Sequence, residues 1–168
     1  RWDTPMKVTQ TAVDPWGDLT AGDITGAGLD QGNFSRRQDN SVQYWSPSFG
    51  GFSIRGLYST NEGKNATANP YNYGGSLTYS KGAIYVAYAY EQHKDGALAQ
   101  VGANTAGAKE EGNTLAARFT LGSLRLSGHY GEYKKTGLAK EKSYMVGADY
   151  AMGKHVLLGS YQNAEAGS

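Results

Sequence analysis

The sequence predicts an all-β protein, an antiparallel transmembrane β-barrel laid out as a meander of eight strands. Three observations predict it. Apolar residues alternate with small or polar ones at period two in segment after segment, the spacing of strands with two unlike faces. In the six clearest segments every charged residue falls on the face of small residues, opposite a continuous apolar and aromatic band. Short and long connections alternate between the segments, as in membrane barrels with tight turns at one end and larger loops at the other.

Taken in chain order, the first forty residues do not alternate. Residues Asp3 to Arg36 are rich in Gly, Asp and Thr, with no strand signal after Val13. A structureless stretch longer than about 15 residues is usually functional or disordered. This one carries Asp14, Asp18, Asp23 and Asp30 ahead of the pair Arg36-Arg37. Folded into a water-filled barrel, its acids would face wall arginines and set a transverse field. The plain alternative is a solvated surface loop.

A first strand fits loosely at Ser41–Ser46. Phe52, Ile54, Gly56 and Tyr58 then alternate with Ser53, Arg55, Leu57 and Ser59. Tyr73, Gly75, Leu77 and Tyr79 alternate with Gly74, Ser76, Thr78 and Ser80. Ile84, Val86, Tyr88 and Tyr90 oppose Tyr85, Ala87, Ala89, Glu91 and His93. Leu115, Ala117, Phe119 and Leu121 oppose Thr114, Ala116, Arg118 and Thr120; Leu124, Leu126, Gly128 and Tyr130 oppose Arg125, Ser127, His129 and Gly131. Tyr144, Val146, Ala148 and Tyr150 oppose Ser143, Met145, Gly147 and Asp149, and a last strand fits loosely at Val156–Gln162. Short turns fall at Pro47–Gly51, Ser80–Ala83, Gly122–Ser123 and Met152–His155. Longer loops fall at Asn61–Asn72, Lys94–Asn113 and Lys134–Lys142. No helix is expected.

The face chemistry separates a membrane barrel from a soluble barrel or sandwich. A soluble sandwich buries its apolar face and usually carries many Lys and Glu on the other. Here the polar face is mainly Ser, Thr, Gly and Ala with sparse Arg, which suits a lumen. Tyr and Phe gather near strand ends, where interfacial girdles place rings with an apolar body and a polar tip.

Composition narrows the function. The 168 residues include 24 Gly, 13 Tyr and no Cys, with 16 basic against 15 acidic residues for a net charge of +1. The balance argues against a nucleic-acid partner, which would select a basic stripe. Without Cys there is no disulfide scaffold, Cys-ligated zinc site or thiol nucleophile. No apolar run reaches the ~18 residues of a membrane-spanning helix. His93, His129 and His155 have no i,i+4 pair or Cys partner, so no metal site is expected. Gly26-Ala27-Gly28-Leu29-Asp30-Gln31-Gly32 lacks the spacing and following helix of a dinucleotide loop, and no nucleophile elbow occurs. The expectation is a non-enzyme with no catalytic residue and no cofactor.

Two stretches carry a family resemblance. Arg1-Trp2-Asp3-Thr4-Pro5-Met6-Lys7, followed by Asp14-Pro15-Trp16-Gly17-Asp18, resembles the strand end and opening of the constriction loop in Gram-negative general porins of the beta-proteobacterial trimeric type. The run from Arg37-Gln38-Asp39-Asn40-Ser41-Val42-Gln43-Tyr44 through Trp45-Ser46-Pro47-Ser48-Phe49-Gly50-Gly51-Phe52 is the more specific match, resembling a family strand that enters a periplasmic turn. Ser143-Tyr144-Met145-Val146-Gly147-Ala148 also resembles a family strand.

The resemblance implies one porin domain over residues 1–168, forming part of a 16-stranded barrel. Residues 1–36 would be a strand end plus the inward-folded constriction loop, and residues 37–168 an eight-strand meander. It implies an outer-membrane homotrimer embedded in lipid and lipopolysaccharide, passing ions and small hydrophilic solutes by passive diffusion. In that frame Asp14, Asp18 and Asp23 belong to the constriction loop. Arg37, Arg55, Arg118 and Arg125 belong to the inner wall, with Glu91 and Asp149 as wall acids and a weak anion preference. Eight strands are too few to enclose water. Either the chain is the middle of a larger barrel, as the opening Arg1-Trp2-Asp3-Thr4-Pro5 suggests, or it is a short barrel filled by Ser, Ala, Gly and Arg. The first predicts an open, curved sheet with unpaired edges. The alternatives in function are a non-conducting structural or adhesive outer-membrane barrel, then a soluble ligand-binding barrel.

Overall fold

The structure, a computed structural model, describes residues 2–17, 34–60, 63–96 and 105–165. Eight strands form one antiparallel sheet in meander order: β3 (Ser41–Trp45), β4 (Phe52–Thr60), β5 (Tyr71–Lys81), β6 (Ile84–Lys94), β7 (Lys109–Leu121), β8 (Leu124–Lys135), β9 (Glu141–Met152) and β10 (His155–Glu165). Ahead of them, β1 (Trp2–Asp3) pairs with β2 (Arg37–Gln38), and α1 (Pro5–Thr11) lies between those two in sequence. The sheet is open, as expected: β3 and β10 are its edges among the described residues. Strands of 9 to 13 residues from β4 onward suffice for a tilted membrane crossing, which needs about 9–11.

Three hairpins at one end of the sheet share one device. Gly82-Ala83, Gly122-Ser123 and Gly153-Lys154 are two-residue turns whose glycines have φ of 58°, 57° and 58°. A two-residue hairpin asks for positive φ at its first position. No atom lies within 4 Å of where a Cβ on Gly122 would sit, so substitution there meets only the backbone penalty. Gly122→Ala is therefore expected to lower the free energy of unfolding in denaturant by about 1–2 kcal/mol, with no change in any packing contact.

At the opposite end the strands run further than the alternation suggested. β5 begins at Tyr71, β7 at Lys109 and β9 at Glu141, and β8 continues to Lys135, so the long loops are shorter than expected. The added residues are largely charged, which hid them from an apolar pattern. They are held by the backbone ladder and by pairs such as Lys109–Glu111 at 2.7 Å and Lys135–Glu141 at 3.2 Å. They also put charge on both faces: Glu110 and Lys135 are buried on one, while Lys94, Lys109 and Lys134 are exposed on the other. The one-sided placement of charge holds only for the strand centres.

Burial is inverted relative to a soluble sheet. Leu77, Leu115, Phe119, Val146 and Tyr161 are exposed, whereas Ala89, Ala116, Thr114 and Ser143 on the small-residue face are covered. What covers them is the chain's own beginning. α1 packs across β5, β6 and β7, and Val13, Pro15 and Phe34 follow it onto the same face.

The expectation of no helix is corrected here. Thr4 caps α1, its Oγ1 accepting from the Lys7 N–H at 3.2 Å, and Pro5 sits in the first turn, where a missing N–H costs nothing. Seven residues containing Val8, Thr9 and Thr11 would not hold a helix in water. It forms because Met6, fully buried, joins Phe34, Ala89 and Tyr133 in one apolar cluster. Val13 meets Ala116 and Met145 in a second, with Tyr85 against it.

Candidate functional site

The candidate site is the covered inner face of the sheet and the segment seated on it. Alternation puts Leu57 and Arg55 of β4, Ser76 of β5, Ala89 and Glu91 of β6, Thr114 and Arg118 of β7 and His129 of β8 on this face. Small side chains there let the segment approach closely. A Cβ on Gly112 would lie 2.7 Å from the Phe34 ring, and one on Gly147 would lie 2.5 Å from Pro15 Cγ. The absence of those methyl groups is what allows the segment to seat.

Polar contacts anchor it along its length. Gln10 donates from Nε2 to the Tyr133 hydroxyl at 3.1 Å. Arg118 donates from Nη1 to the Ala12 carbonyl at 2.5 Å, and Trp16 donates from Nε1 to Ser160 Oγ at 2.9 Å. Further along, Phe34 is wholly buried between the His93 and Tyr133 rings, with centroids 4.7 and 5.2 Å away. Residues on either side of the undescribed stretch thus meet the same wall.

Of the residues expected in the constriction loop, Asp14 is buried, its Oδ1 accepting from the Trp16 N–H at 2.9 Å, so that oxygen braces the segment's own turn. Asp18 and Asp23 lie outside the described residues.

The expected wall residues fall into different situations. Arg37 is in β2, outside the eight-strand sheet, and pairs with Asp3 at 2.9 Å. Asn40, at a positive φ of 47°, breaks the chain's path between Gln38 and Ser41, which is why Arg37 is cut off from β3. Arg125 and Asp149, opposite each other across β8 and β9, form an ion pair at 2.5 Å. Arg55 lies over the Trp45 ring at 4.5 Å and Arg118 over the Tyr85 ring at 5.1 Å, cation–π contacts that orient both guanidinium groups. Two of the four arginines therefore meet an acid and two meet an aromatic ring.

Glu91 belongs to a group that sequence reasoning did not assemble. Its Oε1 is 2.7 Å from His93 Nε2, and Glu110 Oε2 is 3.2 Å from His93 Nδ1. Arg36 Nε stands 3.7 Å from Glu91 Oε1. Burial pulls the Arg36 guanidinium below its usual range, and Glu91 and Glu110 oppose that pull. His93 is thus far from isolated. The carboxylates meet opposite nitrogens of the ring, so they do not converge on a common point as metal ligands would. Glu91 and His93 are two apart on one strand and so share a face, a visible signal. That Glu110 joins them depends on the β6–β7 register, and that Arg36 does depends on how the segment folds back.

No curated protein matches the chain. A family model described as Gram-negative porin matches residues 1–168. With an apolar face turned outward, a polar face turned inward and a match over its whole length, the chain belongs to the Gram-negative porin family, proteins of the outer membrane.

Proposed function

We propose that this chain supplies wall and constriction to a water-filled channel for passive diffusion of ions and small hydrophilic solutes, with a weak preference for anions. One observation carries the reading: the face that a soluble sheet would pack together is exposed, and the polar face is lined by a segment of the same chain. An apolar exterior suits lipid. A hydrated interior removes the several kcal/mol or more that a charged solute would meet in hydrocarbon. Width and fixed charge then set selectivity. We further propose that the open sheet is completed by additional strands into the 16-stranded barrel of its family, because an eight-stranded barrel would fill with its own side chains.

The anion preference rests on Arg55 and Arg118. Arg37 and Arg125 each stand beside a carboxylate, which offsets their charge, whereas Arg55 and Arg118 lie on aromatic rings that leave the charge in place. In planar bilayers the intact porin is expected to give discrete conductance steps. Silence would favour the structural or adhesive reading instead. Under a salt gradient, Arg55→Ala should move the reversal potential toward cation preference more than Arg37→Ala does. The difference should fade toward 1 M salt, where charges are screened within about 3 Å. An unchanged anion preference in Arg55→Ala would refute the assignment.

A further inference from the structure

We propose that the recess between Trp2 and Trp45 is a subsite for small aromatic carboxylates, with Arg55 as its anion-binding pole. That role rests on the channel reading above and names a solute class for it. Two of the chain's three tryptophans lead to it. Trp45 lies opposite Arg55, and Gln43 opposite Leu57, across β3 and β4, so Trp45 and Gln43 share the inner face. Trp2 lies opposite Gln38, whose amide donates to Ser59 Oγ on that same face at 3.0 Å. Yet Trp2 is 66% exposed and Trp45 48%. Lipid accounts for exposed apolar residues on the outer face, but not for two indoles turned toward water, where apolar patches mark binding sites.

The two indoles, with Ser41 and Gln43, line an open recess of about 300 Å³. That is the lower end for ligand clefts and fits a solute with a single ring. Gln43 braces the recess: its Oε1 accepts from Trp45 Nε1 at 2.9 Å, and its Nε2 donates to the Asp3 carbonyl at 3.3 Å. One edge of the Trp45 indole is thereby held, while the Arg55 guanidinium lies over the ring at 4.5 Å. A strand added beside β3 would lie in the plane of the sheet, so it would border this inner-face recess rather than fill it.

The chemistry of the lining selects among solutes. Flat apolar rings stack on indoles. A cation is disfavoured, because the positive charge of Arg55 already lies over Trp45. A sugar needs many hydrogen-bonding partners, and the Gln43 amide has both of its ends engaged. An anion is favoured: among the described residues no carboxylate pairs with Arg55, which leaves its forked N–H donors to a carboxylate from solution. A ring against the indoles and a carboxylate on the guanidinium use both features at once.

The test is single-channel recording of the intact porin in about 0.1 M salt, where fixed charges act over about 10 Å. Benzoate should interrupt the current at millimolar concentrations, a binding weak enough to let a solute leave. Acetate, which lacks the ring, and benzyl alcohol, which lacks the charge, should not. Trp45→Ala and Arg55→Ala should each weaken the block by about tenfold. Tyr44→Ala, on the opposite face of the same strand, should leave it unchanged. Equal block by acetate or by glucose overturns the subsite, as does wild-type block in Trp45→Ala. An equal loss in Tyr44→Ala also overturns it, because the effect would then be one of strand stability. A silent channel would refute the channel reading instead. The subsite is then judged by titrating the tryptophan emission of the detergent-solubilised porin with benzoate: a change that Trp45→Ala abolishes supports it, and no change overturns it.

Discussion

Phe34→Ala is expected to cost about 3–5 kcal/mol of the free energy that seats the inward segment, the usual range for a fully buried ring. Phe34 has no exposed surface and fills a slot between His93 and Tyr133, closed beneath by the bare backbone of Gly112. Sheet residues hydrogen-bonded on both sides cannot move in to fill the gap, so the cavity term persists alongside the lost burial. The strands themselves should survive, since their ladder does not pass through Phe34. Larger and noisier conductance is therefore expected, with unchanged heat resistance of the barrel. Leu115→Ala on the exposed face is the control and should leave conductance alone. Wild-type conductance in Phe34→Ala would mean that the segment is held by its other anchors.

The second large effect is reached by adding an atom rather than removing a ring. In Gly147→Ala the new Cβ would stand 2.5 Å from Pro15 Cγ, 3.1 Å from Ser127 Oγ and 3.2 Å from Pro15 Cδ. A proline ring has no rotamer to swing away, and the strand backbone below is fixed by β8 and β10, so the segment must lift. Overpacking of this kind costs about 1–3 kcal/mol. Lifting also pulls Trp16 from Ser160 and withdraws the Ala12 carbonyl from Arg118. Arg118 is then freer to meet solutes, so conductance and anion preference should rise together. Gly159→Ala, whose Cβ meets nothing within 4 Å, should change neither. Equal behaviour of the two alanine variants would show that Pro15 does not seat on β9.

Much of the fold is legible in the sequence because a strand with unlike faces has a period of two, and six segments keep that period through their centres. Tyr88 against Ala89, or Val146 against Met145, needed no knowledge of neighbours to be assigned to opposite faces. Legibility failed at the strand ends opposite the glycine turns. Lys109, Glu110 and Glu111 extend β7, yet a run of charges has no apolar alternation to count. It failed again at α1, whose seven residues are helical because of what Met6 lands on rather than because of their own preferences.

Of the candidate site, residue types and faces could be read, but partnerships could not. Glu91 was assigned correctly to the polar face by its spacing from Ala89 and Tyr85. Its neighbours Glu110 and Arg36 come from another strand and from a segment that folds back over the sheet. Arg125 and Asp149 face each other through register alone.

The sequence by itself determined the class of protein: which face of the sheet is apolar, which is polar, and that tight glycine turns join the strands at one end. These follow from interactions between residues two or three apart. Only the tertiary structure decided which charges neutralise one another, where α1 forms, and that Phe34, Pro15 and Trp16 seat the chain on its own wall. Those contacts join residues up to 144 positions apart. Strand register and the return path of the segment set them, and no local pattern encodes either.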